Sequence, residues 1–305
     1  MRTFITGGTG FLGSFAVDAF LAAGHDVCVL LRPETDPWRI ADRLSDVTVL
    51  SGSLDDPGAF ADGLSAFRPD TVLNIAWTGV SGRTHDDPAQ RENLDRVRRL
   101  IEISVDAGAT NWIGLGSQAE YGLCEKTIAE DEPPHPVSAY GKAKLEALKL
   151  SHDLCARHAM RFAWVRLFAC YGPRDKEFWL IPYVVRTLFD GQEPELTEGR
   201  QRWDYLYVAD AAAALLCIAE TPNAAGVFNL GSGTAVTVRS VVEAVRDLID
   251  PALPLGFGKR PLPADLVLLL EADIAKLSAA TGWTPATALD DGLARTVDWF
   301  RSGNA

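Results

Sequence analysis

Positive charge is scarce in this chain. Lys and Arg number 29 against 41 Asp and Glu, a formal net charge of −12 over 305 residues. Non-specific nucleic-acid binding needs a basic surface, so a nucleic-acid partner is disfavoured. Cysteine is sparse and unpatterned: Cys28, Cys124, Cys155, Cys170 and Cys217 form an odd set with no C-x-x-C pair. That argues against a disulfide framework or a zinc site and for reduced thiols. The five histidines are scattered, and none shows the spacing of a metal-ligating helix. No metal is expected, and His152 and His158 fall on the polar side of a helix. Long apolar runs are missing too. The run Leu266 to Leu270 is far shorter than the roughly 20 residues that span a bilayer. The chain enters a strand directly after Met1, without the pattern of a signal peptide. A soluble, cytoplasmic protein with no membrane partner is expected. Internal repeats, low-complexity tracts and long linkers are also lacking.

What is there is an ordinary globular balance, 47% apolar and 23% charged, in a chain long enough for a large buried core. The first half alternates strands ("RTFIT", "DVCVLLR", "VTVL", "TVLNIA", "WIGLGS", "FAWVRL") with helical segments. Two of those helices stand out, "DPAQRENLDRVRRLIEISVDAG" and "SAYGKAKLEALKLSHDLCARH". This alternation predicts an α/β fold, a doubly wound parallel sheet of Rossmann type. After about Gly172 prolines, glycines and short elements dominate, with helices near 180–190, 208–221 and 236–250. "VFNLGS" reads as a strand returning to the main sheet. The second region is expected to be a smaller, interleaved C-terminal cap that binds substrate. On this reading residues 1–172 plus about 206–232 form the Rossmann part, and about 173–205 plus 233–305 the cap.

"FITGGTGFLG" places Gly7, Gly8, Gly10 and Gly13 between the first strand and the first helix. Glycines there permit a tight turn and close approach of the backbone to a pyrophosphate at the positive helix terminus. Thr9, Phe11 and Leu12 complete that loop, so a dinucleotide site is expected. The second strand ends in Leu31 and Arg32 rather than a carboxylate. A carboxylate would bind the ribose hydroxyls and repel a 2′-phosphate, whereas a guanidinium can pair with that phosphate. NADP(H) is therefore favoured, with NAD(H) still possible. Ser53 and Leu54 are placed beside the adenine, and Ile75, Ala76 and Trp77 beneath the cofactor. Trp77 fits equally as core or as a wall of the substrate pocket.

Tyr140 and Lys144 are four residues apart in "SAYGKAKLEAL", which puts both on one face of a helix. A phenol titrates near 10, and a neighbouring ammonium lowers that value toward a working pH. With "TGGTGFLG", "GSQAEYG", "YGKAK", "RLFACYGP", "YLYVADAA" and "FNLGSG", the chain resembles the extended short-chain dehydrogenase/reductases over nearly its whole length. Within these it resembles the NAD(P)-dependent epimerase/dehydratase group, which acts mostly on nucleotide sugars. The resemblance implies a Ser117–Tyr140–Lys144 catalytic triad. It also implies that Asn93 supports the lysine and cofactor, that Phe168 lies at the cofactor, and that Thr78, Gln118 and Ala169 lie on the substrate side with Trp77 and Ser117. The acidic pair of the sugar-nucleotide dehydratases is replaced here by Gln118 and Ala119, so loss of water is not expected. Trp203 stands where the group has a phosphate-gripping arginine, with Arg200 and Arg202 just upstream, and Arg260 fits a phosphate-binding arginine of the cap.

These readings favour an NADPH-dependent reductase of a nucleotide-linked keto sugar, a 4-keto-6-deoxyhexose for choice. The alternative on the same triad is a nucleotide-sugar 4-epimerase. A non-catalytic dinucleotide sensor is the alternative of another class, and the intact triad argues against it. A homodimer is expected across two helices. In the helix of residues 88–107, Leu94, Val97, Ile101 and Val105 face one way, with Leu100 and Ile103 to another side. The Tyr140 helix offers Leu145 and Leu148 beside Ala143 and Ala147.

Overall fold

The computed structural model describes residues 1–80, 86–262 and 267–303; Leu266, which opens the apolar run noted above, lies outside them. The first half runs β1 (Arg2–Thr6), α1 (Phe11–Ala22), β2 (Asp26–Leu31), β3 (Thr48–Ser51), α2 (Gly58–Phe67), β4 (Thr71–Asn74), α3 (Glu92–Asp106), β5 (Asn111–Ser117), α4 (Ala139–Arg157) and β6 (Arg161–Leu167). The second half runs β7 (Ala169–Tyr171), α5 (Leu180–Phe189), β8 (Glu195–Leu196), β9 (Arg202–Tyr207), α6 (Val208–Glu220), β10 (Gly226–Leu230), β11 (Ala235–Thr237), α7 (Val238–Ile249), β12 (Gly256–Phe257), β13 (Leu269–Leu270), α8 (Ala275–Thr281) and α9 (Leu289–Arg301).

Seven strands form one parallel sheet in the order β10-β6-β5-β4-β1-β2-β3. Both faces are covered, so its strands are apolar throughout rather than alternating. Neighbours Phe4 and Ile5 of β1 are both fully buried, one in each of the two flanking cores. α1 and α6 cover one face, and α2, α3 and α4 the other. The winding reverses between β1 and β4, and this switch point opens a crevice at the carboxyl ends of the strands. "VFNLGS" does return to the main sheet, as β10 beside β6. Arg161 at the foot of β6 fastens that edge. Its guanidinium donates to the carbonyls of Ile218, Ala219, Thr221 and Ala224 at 2.7–2.9 Å, satisfying the end of α6.

A second sheet joins β11, β9 and β13, with β7 beside β9, under α5, α7 and α9. Asp204 of β9 stitches it to the loop after β10. Its carboxylate accepts the amides of Ser232, Gly233 and Ala272 at 2.5–3.1 Å. The faces of α3 differ from the sequence expectation. Val97, Leu100, Ile101 and Ser104 form the buried stripe, so Leu100 sides with Val97 and Ile101. Leu94, Ile103 and Val105 are half-buried at its margins. The stripe follows i, i+3, i+4, i+7, and that pattern places Leu100 in the core.

Candidate active site

The glycine loop sits at the switch point. Gly7 has φ +74°, and a side chain there would come within 2.8 Å of the Ala76 amide nitrogen. A Cβ on Gly13 would meet the Gly7 carbonyl oxygen at 1.9 Å, so α1 packs onto the turn only with glycine at that position. The Gly10 amide donates to the Gly7 carbonyl at 2.9 Å. Gly10 caps α1 without a side-chain oxygen, and the first turn of α1 holds no acid. The amides of that turn and the helix dipole are thus left for an external anion, and the loop of Gly7, Gly8, Thr9, Gly10, Phe11, Leu12 and Gly13 fits a dinucleotide pyrophosphate.

Most of the remaining predicted cofactor residues follow the carboxyl ends of β2, β3 and β4. Arg32 follows β2 with a side chain 60% exposed and lies 3.5 Å from Glu34. Ser53 and Leu54 follow β3, where the Ser53 hydroxyl bonds Asp55. Arg96 holds Asp55 at 2.6 Å, which keeps that carboxyl below its usual range. Ile75, Ala76 and Trp77 leave β4, and the Thr6 carbonyl accepts the Ile75 amide. Asn93 clamps the next residue from both sides: its Oδ1 accepts the Thr78 amide at 3.0 Å, and its Nδ2 donates to the Thr78 carbonyl at 3.1 Å. Asn93 therefore acts on the loop beside the crevice.

The triad is assembled where β5 meets α4. Ser117 ends β5 and caps a short 3₁₀ turn, Gln118–Glu120. Tyr140 and Lys144 lie one turn apart at the start of α4, which Ser138 caps through the Gly141 amide at 3.1 Å. A side chain on Gly141 would come within 2.3 Å of the Ala119 carbonyl oxygen, so this glycine lets α4 close onto the serine turn. The Ser117 hydroxyl hydrogen-bonds the Tyr140 phenol. Burial pushes that phenol up to about 12; the Ser117 bond opposes this and the Glu120 carboxylate adds to it. Burial pulls the Lys144 ammonium well below its ordinary value, and Glu120 opposes that fall. Lys144 donates to the Leu115 carbonyl at 2.6 Å. Trp77 meets the Tyr140 ring edge-on, 6.2 Å between centroids.

Sequence reasoning passed over the layer beneath the triad. Glu120 is fully buried. Its Oε1 accepts the Ser117 amide and the Trp164 indole N–H, both at 2.9 Å, and its Oε2 accepts Arg166 Nε at 2.8 Å. The Arg166 guanidinium lies 4.2 Å from the ring centre of Tyr121, whose hydroxyl donates to Asn229 at 2.7 Å. The one hint in the sequence was the lone arginine in the apolar strand "FAWVRL"; nothing in "GSQAEYG" marks its glutamate as the partner.

On the substrate side the candidates run from the serine turn to the cap. Gln118 and Ala119 are half-buried beside the serine, and neither is acidic. Phe168 is buried against Tyr121, and Ala169 opens β7. Arg202 is exposed and donates to the Ala235 carbonyl at 3.0 Å. Trp203 donates its indole N–H to the Val267 carbonyl at 2.9 Å. Gln201 and Tyr205 alternate with Trp203 and so share its side of the strand. Their buried Oε1 and hydroxyl oxygen have no hydrogen-bond partner among the described residues. Arg260, after β12, sits 5.4 Å from the Tyr183 ring centre and 3.8 Å from Glu195. No cluster of His, Cys, Asp or Glu among the described residues could hold a metal ion. None of the described helices is long and apolar enough to cross a membrane.

Residues 3–231 match the NAD dependent epimerase/dehydratase family. The chain belongs to this family. It is an NAD(P)-dependent oxidoreductase of the extended short-chain dehydrogenase/reductase type, as the triad and glycine loop led us to expect. A UDP-glucose 4-epimerase of Corynebacterium glutamicum is 27% identical over 309 residues, covering 93% of this chain and 91% of the relative. A dTDP-glucose 4,6-dehydratase of Xanthomonas campestris is 25% identical over 328 residues, covering 97% and 92%. Among solved structures, UDP-glucose 4-epimerase of Thermotoga maritima with UDP-glucose superposes with a TM-score of 0.90 at 26% identity, covering 100% of both chains. MoeE5 in complex with UDP-glucuronic acid and NAD gives 0.84 at 26% identity, covering 99% of this chain and 100% of that one.

Proposed function

We propose that the protein is a nucleotide-sugar 4-epimerase acting on a nucleoside-diphosphate hexose. One observation carries this reading: the likeness to a UDP-glucose 4-epimerase holding UDP-glucose runs end to end, cap included. It favours the epimerase over the ketoreductase that heads the sequence reading. The half-buried Gln118 and Ala119 speak against dehydration, which needs carboxyls to move protons during loss of water.

Tyr140 takes the proton of the sugar 4-hydroxyl and later returns it. Lys144 stabilises the phenolate, and Ser117 orients the reacting oxygen. A nicotinamide dinucleotide bound here would supply the reversible hydride acceptor for C4. The glycine loop, Arg32, Ser53, Leu54, Ile75, Ala76, Asn93 and Phe168 are the residues we assign to holding it. The cap of about 173–205 plus 233–305 takes the sugar nucleotide, with Arg202, Trp203 and Arg260 toward the diphosphate and Thr78, Gln118 and Ala169 toward the sugar. Two copies pair through α3 and α4 into a homodimer. Sedimentation at low micromolar concentration checks this, and a fully active monomer would rule it out.

The test of function is to supply UDP-glucose with catalytic cofactor and analyse the sugar. The epimerase reading expects the C4 epimer without net reduction of cofactor. One observation favours the ketoreductase as a second reading: Arg32, with no carboxylate at the end of β2, suits a 2′-phosphate and so a stoichiometric NADPH. We expect NADP(H) to bind more tightly than NAD(H), and Arg32→Ala to weaken NADP(H) by about tenfold or more while hardly touching NAD(H). Cofactor titration reads this, and equal affinities in the wild type would contradict it.

A further inference from the structure

We propose that Trp77 is a positioning residue for the catalytic lysine: the face of its indole holds the Lys144 ammonium charged and in place, and Gln90 locks the indole there. The inference rests on Tyr140 and Lys144 being the proton-handling pair.

Lys144 is only 3% exposed, so its charge has lost most of its water. Among the described residues its N–H groups meet the Leu115 carbonyl and, nearest of the aromatic rings, the face of Trp77. The ammonium nitrogen lies 3.8 Å from the centre of the Trp77 ring. Attraction between a cation and a π-face grows when both are desolvated. The other charged or titratable groups facing Lys144 do not replace it. Glu120, from the turn after β5, favours the charged lysine electrostatically, but its carboxylate is paired with Arg166 of β6. Tyr140, on the same helix, presents its ring at 5.9 Å. From the loop after β4, Trp77 faces the lysine.

The indole is also fixed. Its N–H donates to Gln90 Oε1 at 2.8 Å, and Gln90 Nε2 donates to the Gly79 carbonyl at 2.6 Å. Gln90 is 2% exposed, in the 3₁₀ turn that leads into α3. Asn93, one turn on, holds the Thr78 backbone and takes part of its support from the Gln90 carbonyl. Trp77 is thus pinned at its edge while one face rests on the lysine and the ring abuts Tyr140. A tryptophan serving only as core filler needs none of this.

The test reads the Lys144 ammonium directly, by nitrogen-15 NMR titration of the full chain, with Lys144→Met identifying the signal. In Trp77→Leu the Lys144 pKa should fall by about one unit, and in Trp77→Phe by less. Gln90→Leu keeps the ring but frees it, and should move the value the same way by a smaller amount. Lys144 acts as a cation, so activity is lost as pH rises through its pKa. The basic limb of kcat should therefore move acidward in step with the NMR value, while KM for the sugar nucleotide changes less than about twofold. If Trp77→Leu does not fold, Gln90→Leu and Trp77→Phe decide. An unchanged Lys144 titration in the folded variants overturns the proposal. Normal turnover in Tyr140→Phe would instead overturn the catalytic pair and leave the NMR result standing.

Discussion

Tyr140→Phe should lower turnover by about 10²–10⁴-fold, the span that a positioned acid–base group contributes, and leave cofactor affinity within a few-fold. On the proposed mechanism the phenolic hydroxyl takes and later returns the proton of the sugar hydroxyl. Ser117 bonds it, and Lys144 follows one turn along α4. Burial leaves the phenol near 12 even with the Ser117 hydrogen bond opposing it, too high to give up its proton at neutral pH. Lys144 and the positive charge of an oxidised nicotinamide are the groups able to bring it down. The ring meets Trp77 edge-on and lies 5.9 Å from the Lys144 ammonium, contacts that a phenylalanine ring keeps. Single-turnover hydride transfer, followed by nicotinamide absorbance, checks the point. An undiminished rate in the variant would remove Tyr140 from the chemistry.

Arg166→Met should destabilise the fold by about 3–5 kcal/mol, because it strands Glu120 as an unpaired buried charge. Glu120 is fully buried and Arg166 nearly so, and they meet at 2.8 Å. The double variant Glu120→Gln/Arg166→Met should recover much of that loss, since glutamine keeps acceptors for the Ser117 amide and the Trp164 indole without the charge. Urea unfolding of the four proteins measures the coupling. A loss below about 1 kcal/mol for the single variant would mean that water reaches the pair. Glu120 fixes the backbone of Ser117, so activity should drop in the single variants even where folding holds.

The sheet was legible because its strands are short apolar runs between turn signals, and because both of its faces are covered. β10 was legible for the same reason, though it lies far along the chain. α2 was not, since its glycine-rich sequence offers only Phe60 and Leu64 to the core. α9 carries Leu293, Val297 and Phe300 at helical spacing, a signal open to reading in the sequence. Of the site, the glycine loop and the triad could be read because their spacing is imposed by one turn and one helix. The Glu120–Arg166 layer could not, since its partners are 46 residues apart and meet only through the β5–β6 pairing. Nor could the contact of Trp77 with Lys144, which depends on a loop fixed by Gln90 and Asn93. Arg202 and Arg260 show the limit of motif reading. Both are exposed, and their present partners are a carbonyl and a carboxylate of the cap itself.

The most direct test of the account is the fate of the hydrogen at C4. UDP-glucose and dTDP-glucose deuterated at C4 would be incubated with the protein and substoichiometric NAD(P)⁺, and the sugars analysed by NMR. The account predicts a C4-epimerised product that keeps its deuterium at C4, with no accumulation of reduced cofactor. No epimer from either substrate, together with stoichiometric oxidation of NADPH by a 4-keto sugar nucleotide, would contradict it.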